Sequence, residues 1–567
     1  MKPRHWTILF IAGLLLPTLS AGAEEESALL KALQVEMNRS FEKLGDAEEA
    51  PLYYIMYGVS EQIRHSISAT LGTIQGESSG HTRVLDIDLR VGSHELDNTH
   101  QIRGRRGFFG RGRGASRLSI DDDPLSIRAT VWLATDRAFK TAQERLVRVT
   151  TDRAVKVEEE DLSDDFSKES PIVHLESPAS IEVDKKAWAA KLKEYSSKFG
   201  EHPFVYSSGA SLSAGVTNQY MVSTEGTKIQ FGDTHIRLSL ACSSMADDGM
   251  RLRRFRSFDA RSWDKLPSDD DVMAAIDLLV EELAALREAP LAEPYTGPAI
   301  LMNRASGVFF HEIFGHRIEG HRQKSESFGQ TFTKMVGELV LPDFISVVDD
   351  PTMREFGGTD LNGHYPFDEE GVRAERVIVV EKGVLKNFLM SRSPVAGFTK
   401  SNGHGRREAG RKAVSRQGNL TVISDKAVPF EELREMLIEQ VKSQGKEYGL
   451  IFDDISGGQT NTGRGRPQAF QVNPLLVRRV YADGRPDELV RGVDIVGTPL
   501  TSFNKIIATG DDSGIFNGRC GAESGWVPVS AISPSILVTE IEIEKSVKGQ
   551  DRPPILPPPG HDPVAEE

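Results

Sequence analysis

Residues 299–316 read Ala-Ile-Leu-Met-Asn-Arg-Ala-Ser-Gly-Val-Phe-Phe-His-Glu-Ile-Phe-Gly-His, and this stretch decides how the C-terminal half is interpreted. Its first four residues are apolar, and they predict a short buried strand because they follow a break at Pro298. A second apolar run, residues 307–310, then leads into a helix that Ser306 can cap. We therefore expect a His-Glu pair on a helix that directly follows a buried strand.

His311, Glu312 and His316 match the arrangement in which two imidazoles hold zinc and a carboxylate handles protons. The usual separation of the histidines is four residues, and here it is five. Because an α-helix turns ~100° per residue, ligands five apart lie ~140° apart on a regular helix. We therefore predict a widened turn of the π-bulge type, with Gly315 lowering its steric cost. The match alone is a weak signal, since two ordinary helix histidines would give the same letters.

A catalytic zinc ion needs three protein ligands and one open position. The candidates for the third ligand are His321, five residues past the second histidine, Glu319, three past it, and Cys520. The cysteine lies on a glycine-flanked segment, residues 517–521, that we expect to be a loop. Spacing leaves His321 and Cys520 equal. With a metal bound, Glu312 would accept a proton from the attacking water and pass it to the leaving amine.

The composition indicates a soluble globular protein with more than one core. The chain has 567 residues, of which 39% are hydrophobic and 27% charged, and its formal net charge is −15. An acidic surface repels phosphate backbones, so no nucleic-acid partner is expected. Residues 101–123 interleave arginines with glycines, a composition also typical of RNA-binding segments, and we interpret them as a solvated surface loop.

The N-terminal residues are typical of an export signal. Lys2 and Arg4 precede an apolar run at residues 6–16, and the small residues 21–23 suit cleavage. We therefore expect residues 1–23 to be a signal peptide and the protein to be periplasmic or extracellular. The apolar run is too short to cross a bilayer and no later stretch is apolar for long enough, so no stable membrane span is expected.

Patterning along the rest of the chain predicts an α+β fold. Residues 24–250, which include the alternating run 84–89, are expected to form an N-terminal α/β domain. The polar stretch 243–268 marks the boundary. Residues 251–549 are expected to form a β-rich C-terminal domain, and the proline-rich residues 550–567 a disordered tail.

Three elements of the C-terminal part are predicted with defined ends. Apolar residues recur at helical spacing over 272–286, and Ser268 can cap this helix while Pro290 terminates it. Residues 429–441 are predicted to form another helix. Residues 377–385 are predicted to form a β-hairpin around a glycine turn.

Taken together, these motifs resemble the TldD/PmbA family, also called modulator of DNA gyrase. The resemblance rests on segments in the same order: 311–320, 403–408, 518–521 and 527–530. It implies a zinc metallopeptidase that cleaves unfolded or small peptides. It also implies that His311, His316 and Cys520 hold the zinc and that Glu312 is the base.

The resemblance further implies a fold and a partner. It implies an α/β N-terminal domain followed by a β-rich metallopeptidase domain, with an internal cavity that admits only extended chains. It also implies a homodimer, or a heterodimer with a TldE/PmbA-like paralogue that lacks the motif. His404 and Arg407 are expected to contact substrate. Family members carry an acidic residue after Glu319-Gly320, whereas this chain has His321, which therefore remains the alternative metal ligand.

Other interpretations stay open. A metzincin-like site would use His321 as third ligand, although metzincins place histidines at offsets of four and ten rather than five and ten. A non-catalytic peptide-binding subunit would lack the His-Glu pair, which this chain has. Cys242 and Cys520 could form a disulfide in an oxidising compartment, although a metal-bound thiolate resists such pairing.

Overall fold

The computed structural model describes residues 26–45, 50–102, 116–155, 161–325, 327–464, 469–497, 502–546 and 551–559. The expected signal peptide, most of the arginine–glycine segment and the last eight residues lie outside these ranges. Within them the chain has an α+β fold, as predicted. None of the described helices is both long enough and apolar enough to cross a bilayer.

A seven-stranded sheet organises the first half of the chain. Its strands are β1 (Leu52–Thr70), β2 (Thr73–Val91), β3 (Ser116–Leu118), β4 (Val173–Leu175), β5 (Ser207–Ser223), β6 (Lys228–Met245) and β7 (Arg251–Ala260). The order is β3-β2-β1-β5-β6-β4, with β7 also paired to β6, and every pairing except β4 with β6 is antiparallel. The alternating run 84–89 lies in β2, as predicted. The domain division after residue 250 remains a prediction, and β7 belongs to this sheet.

Helices cover one face of this sheet. They are α1 (Ala28–Leu44), α2 (Pro124–Val155), α3 (Lys185–Lys198) and α4 (Asp269–Glu288). The Ser268 side chain caps α4 in a reciprocal capping box with Asp271, which confirms that predicted start. The sequence did not predict α2, because apolar residues such as Leu125 and Trp132 lie on its exposed side and blur the helical period.

The opposite face of the sheet packs against the C-terminal half. Arg407 crosses β1 at Gly58, where an added Cβ would lie 3.0 Å from the guanidinium, and it forms an ion pair with Asp86 of β2. Arg392 donates a hydrogen bond to the Tyr54 hydroxyl at 3.2 Å. These contacts join the two halves through buried polar groups.

The C-terminal half contains two larger sheets. The eight-stranded sheet contains β8 (Tyr295–Leu301), β17 (Ala427–Val428), β18 (Tyr448–Thr460), β19 (Phe470–Tyr481), β20 (Glu488–Val490), β21 (Val493–Gly497), β22 (Ile506–Gly510) and β25 (Ile536–Lys545). The six-stranded sheet contains β9 (Ile345–Asp349), β12 (Val377–Glu381), β13 (Val384–Leu385), β16 (Asn419–Ser424), β23 (Gly514–Ala522) and β24 (Gly525–Ser533). Because β25 pairs with both β21 and β8, strands β8, β18, β19, β21 and β25 close into a ring.

Short elements complete this half. Two small hairpins are β10 (Glu355–Phe356) with β11 (Thr359–Asp360), and β14 (Gly405–Arg406) with β15 (Val414–Ser415). The helices are α5 (Asn303–Ile313), α6 (His321–Lys324) and α7 (Phe430–Ser443). The hairpin β12–β13 and helix α7 confirm their predictions, and the C-terminal half is β-rich as predicted.

Helix α5 lies between the two larger sheets. It contacts β18 of one sheet and β23 and β24 of the other. Phe309 and Phe310 pack with Phe503, and Phe309 also meets Phe470 edge to face. Burial of these rings anchors the helix that carries the His-Glu pair.

Candidate metal centre

Helix α5 starts earlier than predicted. It begins at Asn303, directly after β8, and its cap position is Met302. Ser306 lies inside the helix, where its hydroxyl is 2.8 Å from the Ser533 hydroxyl. The prediction that Ser306 caps the helix is therefore wrong: this serine instead ties α5 to the end of β24.

The backbone between the two histidines tightens instead of widening. The α-helix ends at Ile313, Phe314 has φ −101° and ψ −53°, and a 3₁₀ turn follows over Gly315–Arg317. The predicted π-bulge is therefore wrong. A break in the helix at Phe314 brings the two histidine rings together instead. It leaves the His311 and His316 rings with centroids 5.2 Å apart and planes at 76°.

Gly315 is required by packing at this break. A Cβ on Gly315 would overlap the carboxamide of Gln417, which lies against the turn. The Gln417 amide also donates to the His311 carbonyl at 3.4 Å. Close approach of another chain segment thus explains the glycine, and this contact has no signal in the local sequence.

Cys520 reaches the histidines from a strand. It lies on β23, directly opposite Val527 of β24, and packs with Val527 and Val529. The prediction of a loop over residues 517–521 is therefore wrong. Arg416 fixes this hairpin, because its guanidinium donates to the Cys520 carbonyl at 2.8 Å and to the Gly525 carbonyl at 3.0 Å.

His311, His316 and Cys520 come together as a set of possible metal ligands. All three are buried, and one ligand atom from each lies within 4.8 Å of the others. The Cys520 sulfur is 3.3 Å from His316 Nε2. In a tetrahedral zinc site such ligand atoms lie about 3.4–3.6 Å apart, given Zn–N of about 2.0–2.1 Å and Zn–S of about 2.3 Å. The 3.3 Å separation of the sulfur and Nε2 is close to this value, and the other donor pairs lie within 4.8 Å, so a modest contraction would bring all three donors onto one zinc ion.

His321, the alternative ligand, does not join this set. Its ring is buried, meets Phe328 edge to face, and has Nε2 3.8 Å from the Glu523 carboxylate. Cys242 does not join the set either, because it lies in the core beneath α4. Both cysteines are free thiols. The disulfide considered from the sequence is not formed.

The electrostatics of the set favour a cation. Burial alone would raise the pKa of Cys520, but the His316 and His311 rings and the Arg416 guanidinium outweigh it, and the pKa lies well below its usual value. Burial would lower the pKa of His316, but the Cys520 thiolate and the Glu319 carboxylate raise it well above the usual value. These neighbours favour the thiolate form of Cys520, which is the form that binds a divalent cation.

Glu319 lies behind His316 as an orienting carboxylate. It is fully buried and accepts a hydrogen bond from His316 Nδ1 at 3.2 Å and from Arg322 Nε at 2.7 Å. Although burial opposes ionisation, His316 and Arg322 lower the pKa of Glu319 to about 2. The bond to Nδ1 leaves Nε2 free to face Cys520, as outer carboxylates do for histidine ligands. Glu319 therefore has a partner other than a metal.

Glu312 lies beside the ligand set on the last turn of α5. Its Oε2 is 4.0 Å from His316 Nε2, and its side chain is nearly buried. Strand β18 passes close to it at Gly458, where an added Cβ would lie 2.7 Å from the Glu312 Cγ. The carboxylate is thus held next to the possible metal position without joining the three ligands.

The two residues expected to contact substrate differ in position. His404 is completely buried, with Nε2 3.3 Å from Asp349 and Nδ1 3.0 Å from the Asn402 carbonyl, which does not fit the predicted substrate contact. Arg407 lies on the wall of a large cavity between the two halves, so its substrate contact stays a prediction.

Comparison with known proteins extends these findings. Residues 294–545 match a family profile described as the PmbA/TldA metallopeptidase C-terminal domain. A metalloprotease of Archaeoglobus fulgidus is 33% identical over 261 residues, which are 46% of this chain and 56% of that protein. A zinc metalloprotease TldD homolog of Saccharolobus solfataricus is 25% identical over 249 residues, 43% of this chain and 51% of that protein. The chain thus spans about half the length of these curated relatives.

Solved structures share the fold over almost the whole chain. TldE from Thermococcus kodakarensis superposes with a TM-score of 0.59 at 14% identity, covering 90% of this chain and 100% of that one. A candidate modulator of DNA gyrase from Thermotoga maritima gives a TM-score of 0.59 at 17% identity, with 90% and 99% coverage. Residues 294–545 thus belong to the PmbA/TldA family of C-terminal domains, and the chain as a whole shares the fold of these structures.

Proposed function

We propose that this protein is a zinc-dependent peptidase that hydrolyses peptide bonds in unfolded or small peptides. The observation that carries the proposal is the meeting of His311, His316 and Cys520 beside the Glu312 carboxylate. Two imidazoles and a thiolate are donors that zinc prefers, and three protein ligands leave one position for catalysis. The names of the aligned relatives, metalloprotease and zinc metalloprotease, support the same activity.

When bound, zinc supplies a Lewis acid that polarises a carbonyl and activates water near neutral pH. The chain's own residues supply the rest of the mechanism. His311, His316 and Cys520 hold the ion, and Glu319 fixes the His316 ring through Nδ1. Glu312 accepts a proton from the attacking water on its carboxylate and donates it to the leaving amine.

Location and assembly extend the proposal. The export signal expected over residues 1–23 supports action in the periplasm or outside the cell. The likeness in fold to TldE supports a dimer, either of two copies of this chain or with a TldE/PmbA-like paralogue. An unfolded peptide suits a catalytic group this buried, because a folded substrate could not bring its backbone to the ligands.

Peptide hydrolysis by zinc-loaded protein tests the proposal. The protein is incubated with a pool of unstructured peptides, and new termini are identified by mass spectrometry. Glu312→Gln is expected to lower kcat about 10²–10⁴-fold while leaving zinc bound, since loss of a general base has that cost. The exposed Glu432→Gln on α7 is the matched control and is expected to cut normally. Cleavage by Glu312→Gln at the wild-type rate would overturn the mechanism.

A further inference from the structure

A large cavity lies between the two halves, beside the metal-ligand set and not at it. Its volume is about 1240 Å³. Helix α2 and strand β2 form one side, and loops of the C-terminal half form the other. His321 and Gln323 line its wall, so the chain passes from His316 to the cavity within seven residues. None of the three ligands lines it.

The charge of this cavity is opposite to that of the chain. The chain as a whole has 68 Lys and Arg against 83 Asp and Glu. The cavity wall has nine basic side chains against six acidic ones, counted from its lining residues. The basic ones are Arg90, Arg137, Arg145, Lys324, Lys334, Arg407, Arg411, Lys412 and Arg464. Basic side chains therefore outnumber acidic ones on this wall, the reverse of the chain as a whole.

The acidic side chains of the wall neutralise only part of this charge. Three of them already pair with basic neighbours: Asp86 with Arg407, Asp88 with Arg90, and Asp165 with Lys324. Burial raises the pKa of Glu369 and of Glu370 above the usual value. By contrast, Arg137, Lys334 and Arg411 of the wall form no ion pair within the part of the chain that the structure describes.

The pKa of Lys412 also reflects the excess of basic side chains on the cavity wall. Burial lowers the pKa of its amino group to about 7, and the nearby Asp88 carboxylate only partly offsets this while Arg90 and Arg145 add to it. A carboxylate brought into the cavity would restore the positive charge of this amine.

We propose that this cavity is an exosite for an acidic segment of the peptide substrate. The inference rests on the proposed peptidase function and names its substrate class. Seven residues span at most about 25 Å when extended, so the wall at Gln323 lies within that distance of His316. An extended peptide of about seven residues is long enough to span this distance. Peptides with aspartate or glutamate at this separation from the cleaved bond are the preferred substrates.

Binding of uncleaved peptides tests the exosite separately from catalysis. The probes are Ac-Ala-Ala-Ala-Ala-Ala-Ala-Glu-Glu-Glu-Glu-amide and the same peptide with glutamine for glutamate, titrated calorimetrically into zinc-loaded Glu312→Gln protein. The acidic peptide is expected to bind at least about 10-fold more tightly than the glutamine peptide, an advantage that added salt weakens. Equal affinity for the two peptides would overturn the exosite.

Substitutions of cavity residues test whether the preference for the acidic peptide arises in the cavity. Arg137→Gln combined with Lys334→Gln replaces two exposed cavity residues, so the fold is retained, and it is expected to remove most of the 10-fold preference. Lys412→Met, which keeps the length of the side chain, is expected to act in the same direction. Lys442→Gln on α7 is the matched control and keeps the preference. A preference that survives both cavity variants would contradict the assignment.

The outcomes of the two proposals are distinguishable. If wild-type protein cuts neutral and acidic peptides at equal rates and binds them equally, the exosite fails and the peptidase function stands. If acidic peptides bind preferentially in the cavity but no peptide is cut, the binding site stands and the peptidase function fails.

Discussion

Cys242 and Cys520 are both buried on long strands, and the regions around them differ in charge. Cys242 lies in an apolar core below α4, and its sulfur is 3.8 Å from the Leu279 carbonyl. Burial there raises the pKa of the Cys242 thiol to about 12. Around Cys520 lie two imidazoles and the Arg416 guanidinium, and they lower the pKa of its thiol well below the usual value.

The difference shows that burial alone does not give a cysteine its chemistry. Burial disfavours the thiolate form of both cysteines, and the neighbouring charges determine whether that form is stable. In the Cys520 region those neighbours come from α5, the 3₁₀ turn and the segment around Arg416. Chemistry in this protein therefore depends on contacts between distant segments, and changing one partner at a time should separate the two regions.

Removing each sulfur is expected to give the largest contrast. Cys520→Ala takes away one zinc ligand, which is worth about 3 kcal/mol if the binding energy of structural zinc sites is divided among four ligands, so zinc affinity falls ~100-fold or more. Hydrolysis falls with it. Cys242→Ala is the matched control and retains zinc. Competition with a chelator of known affinity measures both variants, and equal zinc affinity in the two would contradict the ligand assignment.

Substituting Glu319, the carboxylate behind His316, is expected to give the next largest effect on zinc affinity. Glu319→Gln keeps the shape of the side chain but weakens the hydrogen bond to His316 Nδ1, and loss of such outer partners costs about 10–100-fold in metal affinity. The same chelator competition measures it. A variant with unchanged zinc affinity would show that Glu319 serves only the fold.

Cys242 should affect stability only at alkaline pH. Below its ordinary pKa of about 8.5 the thiol is protonated in both folded and unfolded chains, so it adds no pH dependence. Between that value and about 12 the unfolded chain loses the proton while the folded chain keeps it, which favours unfolding. Raising the pH from 8.0 to 9.5 should therefore cost wild type about 1 kcal/mol more than Cys242→Ala. Urea unfolding at both pH values checks this, and parallel losses would contradict it.

His321 is expected to give the smallest effect on the metal. It lies beside Glu523 and Phe328 and outside the ligand set, so His321→Ala should leave zinc affinity within about 2-fold of wild type. Competition with the same chelator measures the zinc affinity of this variant. If this variant loses zinc while Cys520→Ala retains it, the metzincin-like alternative is correct.

Local pattern predicted the elements that local physics determines. The capped start of α4, the hairpin β12–β13 and the α+β class follow from capping, turn residues and alternation, and each is confirmed. The spacing of His311 and His316 also indicated that the helix must be distorted between them. Each of these features is determined by a few neighbouring residues and can therefore be predicted from the local sequence.

The rest depended on contacts across the chain. The glycine in the 3₁₀ turn is required because Gln417, about a hundred residues away in sequence, packs against Gly315. Cys520 comes from a strand because β23 pairs with β24 along its length, which its glycines concealed. Arg416 was not singled out, and the only local hint for Glu319 was its helical offset of three from His316.

X-ray absorption at the zinc edge of the purified, zinc-loaded protein tests the ligand set most directly. The account predicts one sulfur at about 2.3 Å and two imidazole nitrogens at about 2.0–2.1 Å, with the sulfur shell lost in Cys520→Ala. A spectrum of wild type with only nitrogen and oxygen ligands would contradict the claim that Cys520 joins His311 and His316 around the metal.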